Sequence, residues 1–320
     1  MGLVKPGYTF SHWATYHDSV GTVGTKTFTA GGSYSASEFQ DRYDSSRTVN
    51  TYSGVNCCLI AVWVSNEYTY ILDPNGGEVS TPTLSVYYPQ SFFDDMPYPT
   101  WEGRKFTRWY ADIGTNGPIN LGRAYMYTSE LTLYLDAYMD DWSAFNNMRL
   151  ISCTHYGGWN IESNNGYIQF TMYDSGVGYK PVLTSILGSD LSPGWHNFKM
   201  LFDGTKMYGY VDNVLQGTTE NFTSGKIGYC RNNSIWIGAE AAESMSVYDS
   251  TFPLFPGYIG RVWIGDTYDA QAGNLLAEFP IAVQNVTLYA DWTICEYAYV
   301  KVDGEWKLGK IYFKHDGNWD

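Results

Sequence analysis

Hydrophobic and polar residues alternate with a period of two in many short runs, and turns rich in glycine and asparagine separate the runs. Residues 167–172, 207–213 and 256–265 are clear examples. Such alternation places successive side chains on opposite faces of a β-strand, and few segments carry apolar residues at helical spacing. The pattern therefore predicts an all-β fold class, built from small β-sheet repeats and a two-sheet sandwich.

One motif occurs twice in the first half of the chain. It reads Pro-Gly-Tyr-x-Phe-x-x-Trp in its first copy, at residues 6–13, and is followed by an apolar strand at 59–63 that ends in Ala-x-Trp. The second copy opens at residues 68–77 and continues through 99–110. We expect it to close near residues 131–135. Recurrence of this kind indicates two related small β modules.

Residues 75–77 read Asn-Gly-Gly and accept the positive φ of a tight turn. Phe10 and Trp13, like Phe106 and Trp109, are three residues apart. Regular alternation in a strand puts such pairs on opposite faces, so we interpret them as core residues that cover both sides of a small sheet.

Residues 68–137 resemble the β-grasp repeat of internalins and other bacterial surface proteins, often called the Listeria–Bacteroides repeat. That family has an Asn-Gly-Gly turn, a Gly-Tyr-x-Phe-x-Gly-Trp strand and a closing Leu-Tyr-Ala-x-Trp strand. The chain departs from it at residues 104–106, where tyrosine is usual, and near 131–135, where Ala-x-Trp is lost. Residues 285–292 also match the closing strand, so they close either a repeat or the domain before them. The resemblance implies spacer or adhesive modules.

Residues 138–280 resemble the laminin-G-like or concanavalin-like jelly roll. The carrying motifs are Gly-Trp-His at 194–196, a later Asp-Gly turn, and Gly-x-Ile-x-x-Val beginning at 257. The resemblance implies a two-sheet sandwich that binds glycans, proteins or calcium, and a minority of its members are glycosidases. Residues 297–320 form a tandem strand–turn–Trp pattern that resembles the tails of tailed-phage virion proteins.

These patterns predict four regions. They are an incomplete internalin-type repeat at 1–67, a full repeat at 68–137, a jelly-roll sandwich at 138–280, and a closing strand with a tandem hairpin tail at 281–320.

The net charge of −14 and the pI of about 4.7 argue against binding to nucleic acid and to anionic membranes. No apolar run has membrane-spanning length, so we expect no membrane insertion. We also expect neither a signal peptide at the start nor an anchor at the end. The 5 cysteines include no CxxC pair, which favours buried thiols over a disulfide framework or a zinc site.

The sequence offers no matched catalytic set, so we predict that the chain is not an enzyme and has no catalytic residues. His12 and His196 adjoin tryptophans and suit packing. Asp140 and Asp141 are adjacent and would point opposite ways in a strand, which does not suit a glycosidase pair. Glu240 and its neighbour three residues on are interpreted as solvated carboxylates.

No cofactor is expected, with calcium as the one ion to consider, because loop carboxylates and amides are its usual ligands. The leading candidates are Asp140 and Asp141 with residues 164–165, and the others are Asp249 and Asp266.

A glycan would be bound by aromatic and polar groups on sandwich loops. The best loop spans residues 155–160, where two glycines could present Tyr156 and Trp159 beside Asn160. Tyr248 marks a second rim. The alternative for Trp159 is that it caps the core.

The sequence therefore favours a non-enzymatic virion structural protein of a tailed phage, such as a capsid decoration, head fibre or tail fibre component. It would present the jelly roll for binding to a glycan or host surface, and its partners would be other virion proteins or its own copies. The first alternative is a fragment of an adhesin on the bacterial cell surface. The second is a jelly-roll glycoside hydrolase.

Overall fold

The computed structural model describes most of the 320-residue chain. The described residues are 5–17, 22–34, 58–89, 96–122, 128–154, 157–174, 178–219, 222, 225–228, 234–242, 247–266, 275–279, 282–294, 297–302, 304–310, 314–315 and 318–319. The chain divides into two compact units, Met1–Asn66 and Glu67–Asp320. Both are built from β-strands, which confirms the predicted fold class.

The first unit contains an antiparallel sheet. Its described strands are β1 (Tyr8–His17), β2 (Thr22–Phe28) and β3 (Cys58–Ser65), and β1 lies between the other two.

The second unit holds the rest of the strands in the described part of the chain. They are β4 (Glu67–Asp73), β5 (Thr83–Tyr87), β6 (Arg104–Asp112), β7 (Ile119–Asn120), β8 (Leu131–Met139), β9 (Arg149–Thr154), β10 (Gly158–Asn164), β11 (Tyr167–Asp174), β12 (Gly178–Leu187), β13 (Gly194–Phe202), β14 (Met207–Val211), β15 (Val214–Thr219), β16 (Trp236–Ile237), β17 (Glu240–Ala241), β18 (Tyr248–Asp249), β19 (Tyr258–Gly265), β20 (Leu275–Phe279), β21 (Val286–Ile294), β22 (Tyr297–Val302), β23 (Glu305–Lys310), β24 (Lys314–His315) and β25 (Asn318–Trp319).

Helical structure is confined to short turns among the described residues. A single-turn helix, α1 (Ile113–Asn116), follows β6 and is capped by the Asp112 carboxylate, which accepts from the Gly114 N–H. Two 3₁₀ turns span Trp142–Ala144 and Gly188–Asp190. None of the described helices is long and apolar enough to cross a membrane.

Two sheets of the second unit pack against each other as a sandwich. The large sheet has the strand order β15-β14-β13-β8-β19-β6-β21-β4-β5, with β20 also on β19, and the small sheet has the order β12-β11-β10-β9-β16-β7. Alternation along β8 shows how the faces divide: Leu133 and Leu135 are fully buried, whereas Tyr134, Asp136 and Tyr138 are half-buried on the outer face. The predicted two-sheet sandwich is therefore confirmed.

The sandwich core consists of large apolar side chains from the inner faces of both sheets. Trp159 and Phe170 come from the small sheet, Phe198 and Phe202 come from the large sheet, and all four are fully buried. Burying a side chain of this size contributes about 1.5–3 kcal/mol, so the facing rows hold the two sheets together. Cys153, a buried thiol, joins the same core.

Strand β21 closes the β-grasp module from a distant part of the chain. It runs parallel to β4, with Leu288 beside Leu72, and antiparallel to β6, with Ala290 beside Trp109. The expected closing strand near residues 131–135 is instead part of β8, which pairs with β13 and β19 in the sandwich. The jelly roll is thus inserted between the third and last strands of the module.

Each of the two β modules has a β-bulge at the same place in its motif. The bulge explains why the prediction that the phenylalanine and tryptophan lie on opposite faces was wrong. In β1 the register shifts between Phe10 and His12, and in β6 it shifts at the residue after Phe106. The extra residue turns the tryptophan onto the same face as the phenylalanine. The rings therefore touch, with centroids 5.4 Å apart for Phe10 and Trp13 and 5.5 Å apart for Phe106 and Trp109.

The Asn-Gly-Gly turn packs against the closing strand. Asn75 and Gly76 have φ values of 47° and 96°, as the turn prediction required. A Cβ on Gly77 would lie 2.7 Å from the Trp292 ring, whose Nε1 donates to the Pro74 carbonyl at 2.9 Å. The tryptophan of Ala-x-Trp thus holds the turn in place, so these two parts of the motif are in direct contact.

Candidate functional site

An aromatic platform lies on the outer face of the large sheet. Side chains from β21, β6, β19, β8 and β13 form it, and all are half-buried. The platform consists of Tyr289, Tyr110, Tyr258, Tyr138 and Trp195. Each follows from strand alternation, because the neighbouring residues on these strands point into the core.

The rings of the platform are in continuous contact. Tyr138 stacks on Tyr258 with centroids 5.1 Å apart and an interplanar angle of 16°. Tyr110 bridges to Tyr258 at 5.0 Å and to Tyr289 at 5.7 Å, while Trp195 lies 5.6 Å from Tyr138. Such pairs stabilise cross-strand neighbours and leave a firm apolar surface with hydroxyl groups at its edges.

A glycine allows Trp195 to lie across the neighbouring strand. A Cβ added at Gly260 would be 3.4 Å from Cζ3 of Trp195 and 3.1 Å from Cβ of Asp136. A larger residue would therefore push the indole off β19. The guanidinium of Arg108 lies over the same ring, 4.5 Å from the Trp195 ring centroid.

Charged groups border the platform on one side. Nη1 of Arg108 lies 3.2 Å from Oδ2 of Asp136, and Nε of Arg108 lies 3.6 Å from Oδ2 of Asp291. Burial raises the pKa of Asp136, and the Arg108 guanidinium opposes that change. Burial, together with the nearby Tyr258 and Asp291, raises the pKa of Tyr110 to about 12, so its hydroxyl is neutral at ordinary pH.

A cleft adjoins the platform where two strands separate. β6 and β19 pair at Tyr258–Asp112 and Ile259–Ala111; further along, β6 pairs with β21 and β19 pairs with β8 and β20. A cavity of about 490 Å³ lies beside this gap. Its lining includes Tyr98, Phe106, Arg108, Trp109, Asp136 and Arg261.

A strongly solvent-exposed aromatic residue lies at the mouth of the cleft. Tyr98 is 67% exposed, and its ring lies 5.0 Å from that of Phe106. Aromatic rings can stack on the C–H face of a sugar ring, and hydroxyl and carboxylate groups can hydrogen-bond its hydroxyls. Because Arg108 and Asp136 line the cleft and also border the platform, the two are adjoining parts of one candidate site for a polyhydroxylated ligand.

The structure separates the predicted loop residues. Trp159 is fully buried on the core face of β10, opposite Cys153, which is the alternative that the sequence left open. Asn160 points the other way and is only 4% exposed. Tyr248 is half-buried, with its ring 5.6 Å from Trp236. Tyr156 lies outside the described residues, so its predicted role stays a prediction.

The predicted calcium ligands do not converge among the described residues. Asp140 accepts from the Tyr138 hydroxyl at 2.7 Å, and Asp141 caps a 3₁₀ turn by accepting from the Ser143 N–H and hydroxyl. Asp249 accepts from the N–H and hydroxyl of Thr251. Within the described ranges, no group of three His, Cys, Asp or Glu side chains is arranged to hold a metal ion.

Glu240 belongs to a buried ion-pair cluster, whereas its sequence context indicated a solvated carboxylate. It is 8% exposed and pairs with Nε of Arg149. Nη2 of the same arginine lies 2.9 Å from Oε2 of Glu162. One guanidinium therefore bridges the two carboxylates on the outer face of the small sheet. The glutamate at 243, also interpreted as a solvated carboxylate, lies outside the described residues.

His196 packs against a tryptophan, and both of its ring nitrogens have hydrogen-bond partners. His196 is 8% exposed; its Nδ1 lies 2.6 Å from Oδ2 of Asp212, and its Nε2 lies 2.8 Å from the Ser192 carbonyl. Both ring nitrogens are therefore engaged, and the ring packs against Trp142. This arrangement links the segment before β13 to the turn after β14 through the imidazole ring.

Sequence reasoning missed the platform because its members come from five separate strands. The available signal was the outer half of the alternation: Tyr134, Asp136 and Tyr138 occupy positions where a solvated strand face usually carries small polar residues. On β8, outward tyrosines alternate with inward leucines, so this strand carries a candidate binding face as well as a core face.

Comparison with known proteins supports one module directly. Residues 68–134 match the family model described as the Listeria-Bacteroides repeat domain, which confirms the predicted resemblance in that region. A search among curated proteins finds no match.

Several solved structures are similar to the chain at low identity. A pentraxin from Limulus polyphemus aligns at 14% identity and a TM-score of 0.39, over 63% of this chain and 94% of that chain. Domains LG4-5 of the mouse laminin alpha1 chain align at 13% identity and a TM-score of 0.41, over 62% of this chain and 50% of theirs. The ligand binding domain of botulinum neurotoxin serotype D, solved with N-acetylneuraminic acid, aligns at 14% identity and a TM-score of 0.36, over 53% of this chain and 42% of that one.

Proposed function

We propose that this chain is a non-enzymatic carbohydrate-binding protein whose site is the aromatic platform with its adjoining cleft. The observation that carries the proposal is the continuous contact of Tyr289, Tyr110, Tyr258, Tyr138 and Trp195 on an outward-facing sheet surface. A sheet face that only separates the core from solvent does not require a contiguous set of aromatic rings. A rigid aromatic face beside hydroxyl and carboxylate groups is suited to sugar rings.

The ligand class we propose is a neutral glycan. The net charge of −14 repels polyanions at long range. At the platform, Arg108 is already paired with Asp136 and Asp291, so its charge is compensated. The carboxylate oxygens and tyrosine hydroxyls that remain at the edges are hydrogen-bonding groups for sugar hydroxyls.

The setting we propose is the surface of a particle or cell, with a tailed-phage virion as the leading case and a bacterial surface adhesin as the alternative. Two features support it. The β-grasp module resembles a repeat of bacterial surface proteins, and the chain ends in the tandem hairpins β22–β23 and β24–β25. Other virion proteins, or copies of the chain itself, would be the docking partners.

The first experiment is a glycan array followed by titration calorimetry on the full chain. For a neutral glycan that binds, we expect Trp195→Ala to weaken affinity about tenfold or more, because the indole lies at the junction of the platform and the Arg108 cluster. Tyr167→Ala is the matched control, since Tyr167 is an exposed aromatic residue at the end of β11 on the other sheet.

Three results would count against the proposal. The first is that no neutral glycan on the array binds the chain. The second is that Trp195→Ala leaves binding unchanged although the variant has the melting temperature of the parent chain. The third is concentration-dependent dimerisation that the same variant abolishes, since it would make the platform an interface between copies of the chain. The control variant should match the parent chain in each assay.

A further inference from the structure

The strand pair β1–β3 of the first unit is the structural counterpart of the pair β6–β21 in the second. In the first pair Phe10 lies opposite Trp63, and in the second Phe106 lies opposite Trp292. The next matched position, tryptophan opposite alanine, is also the same in both pairs. β3 is therefore the equivalent of the closing strand β21.

The two closing strands differ at their other edge. In the second module the opening strand β4 runs parallel to β21 and pairs with its residues 286–289, which places Leu72 beside Leu288. Among the described residues of the first unit, β3 pairs with β1 alone, in a sheet of order β2-β1-β3. Alternate residues of such an edge strand direct their N–H and C=O groups away from the sheet, where another strand can pair with them.

Burial differs in the same place. Leu59 lies four residues before Trp63, as Leu288 lies four residues before Trp292. Leu288 is fully buried, whereas Leu59 is 39% exposed. Ile60, which points to the other face of β3, is 37% exposed. Apolar side chains are therefore open to solvent on both faces of β3 at the position that β4 covers in the second module.

The composition of β3 favours pairing with a further strand. Edge strands are usually protected by charged side chains or proline. Cys58–Ser65 contains neither, and five of its eight residues are leucine, isoleucine, valine or tryptophan. Residues of these types have high β propensity. The β3 edge therefore has the properties of a strand acceptor.

We propose that β3 binds an extended segment of another polypeptide chain by strand addition, in the place that β4 occupies in the second module. The added strand runs parallel to β3. Its backbone pairs with the outer N–H and C=O groups of β3, and its side chains determine the register.

The second module also indicates the chemistry of this partner. In β4 the buried Tyr70 and Leu72 alternate with exposed residues, so the partner segment has large apolar side chains at every second position. β4 begins with Glu67 and ends with Asp73. The strands β1, β2 and β3 contain no acidic residue, so acidic ends of this kind meet no like charge on these strands.

The test uses a fluorescent synthetic peptide with the sequence of residues 66–75, which contains β4, and the full chain. Fluorescence polarisation should show saturable binding of the peptide. Leu59→Asp should weaken this binding about tenfold or more, because it places a carboxylate beside the position of the peptide leucine that corresponds to Leu72.

Val64→Asp is the matched control on the same strand. Val64 is 57% exposed and corresponds to Thr293, which lies beyond the part of β21 that pairs with β4. This variant should bind the peptide as the parent chain does. Thermal melting of both variants shows whether either substitution unfolds the chain.

Two methylated peptides test strand addition without any change to the protein. Each carries N-methyl groups on every second backbone nitrogen, in one of the two alternate sets. Only one set of N–H groups in a parallel strand points toward its partner strand. We therefore expect one methylated peptide to lose binding and the other to retain it.

Four results would overturn the proposal. They are no saturable binding of the peptide, equal binding by the Leu59→Asp and Val64→Asp variants when both melt like the parent chain, and equal behaviour of the two methylated peptides. The fourth is dimerisation of the chain without peptide that Leu59→Asp abolishes, since a second copy would then occupy the edge. Trp195→Ala should leave peptide binding unchanged, so this test is independent of the glycan-binding proposal.

Discussion

Asp203 is a single residue whose charge organises a tight turn. Its Oδ1 accepts from the N–H groups of Thr205 and Lys206 at 2.8 and 2.7 Å, and its Oδ2 accepts from the Tyr208 hydroxyl at 2.9 Å. Burial alone would raise its pKa. The hydrogen bonds from the Thr205 side chain, from these N–H groups and from Tyr208 outweigh burial and lower the pKa to about 2.

This lowered pKa predicts a pH-dependent contribution to stability. The folded state binds the proton less readily than the unfolded state, whose Asp pKa is about 3.9. The contribution is therefore complete above pH 4 and is lost as the pH falls toward 2. We expect Asp203→Asn to lower the free energy of unfolding by about 1 kcal/mol at pH 6, since the group is largely solvated, and by much less near pH 2. Urea unfolding at both pH values measures the difference, and an equal loss at both would contradict it.

The adjacent residues Trp159 and Asn160 show how far residue-level prediction reached. The sequence predicted a loop at 155–160 that presents both residues, whereas they lie on β10 and point to opposite faces of it. A local pattern could not tell which of the two meets the core, because both faces of the small sheet are buried in this region. The placement of Trp159 against Cys153 depends on the sheet opposite, which a local sequence pattern does not contain.

At the scale of elements, the closing strand β21 makes a testable difference between two truncations. A chain that ends at Ile294 keeps the pairing of β21 with β4 and β6 and loses only the hairpins after it. A chain that ends at Asn285 loses Val286, Leu288 and Ala290 from the core. Each larger side chain contributes about 1.5–3 kcal/mol.

We therefore expect the chain ending at Ile294 to unfold cooperatively near the melting temperature of the full chain. The chain ending at Asn285 should be protease-sensitive in β4 and β5, which pair with the rest of the large sheet through β21. Limited proteolysis with thermal melting measures both. Equal resistance of the two chains would mean that β21 is dispensable for closing the module.

Most strands could be predicted from alternation, but their long-range pairing could not. Residues near 131–135 and residues 285–292 both fit a closing strand, and an insertion of a whole sandwich between paired strands leaves no local mark. The shared bulge was missed for a related reason. Its extra residue is visible only through the register with the partner strand, as at Phe10 and Phe106.

At the scale of the whole second unit, the large sheet has two functions. Its outer face carries the platform, and its inner face packs into the sandwich core against the small sheet. A ligand on the platform would therefore be bound without disturbing the packing between the two sheets.

The overall charge makes the choice of ligand class testable through salt. A neutral glycan has no net charge for the −14 chain to attract or repel, so its affinity should change less than about twofold as the Debye length falls from about 30 Å at 0.01 M to about 8 Å at 0.15 M salt. An anionic polysaccharide should bind poorly at the lower salt concentration because of repulsion. Titration of both ligand types at both concentrations decides the matter. Tight binding of the anionic polysaccharide that weakens with salt would instead make Arg108 and Arg261 in the cleft an anion site, and the neutral-glycan assignment would be wrong.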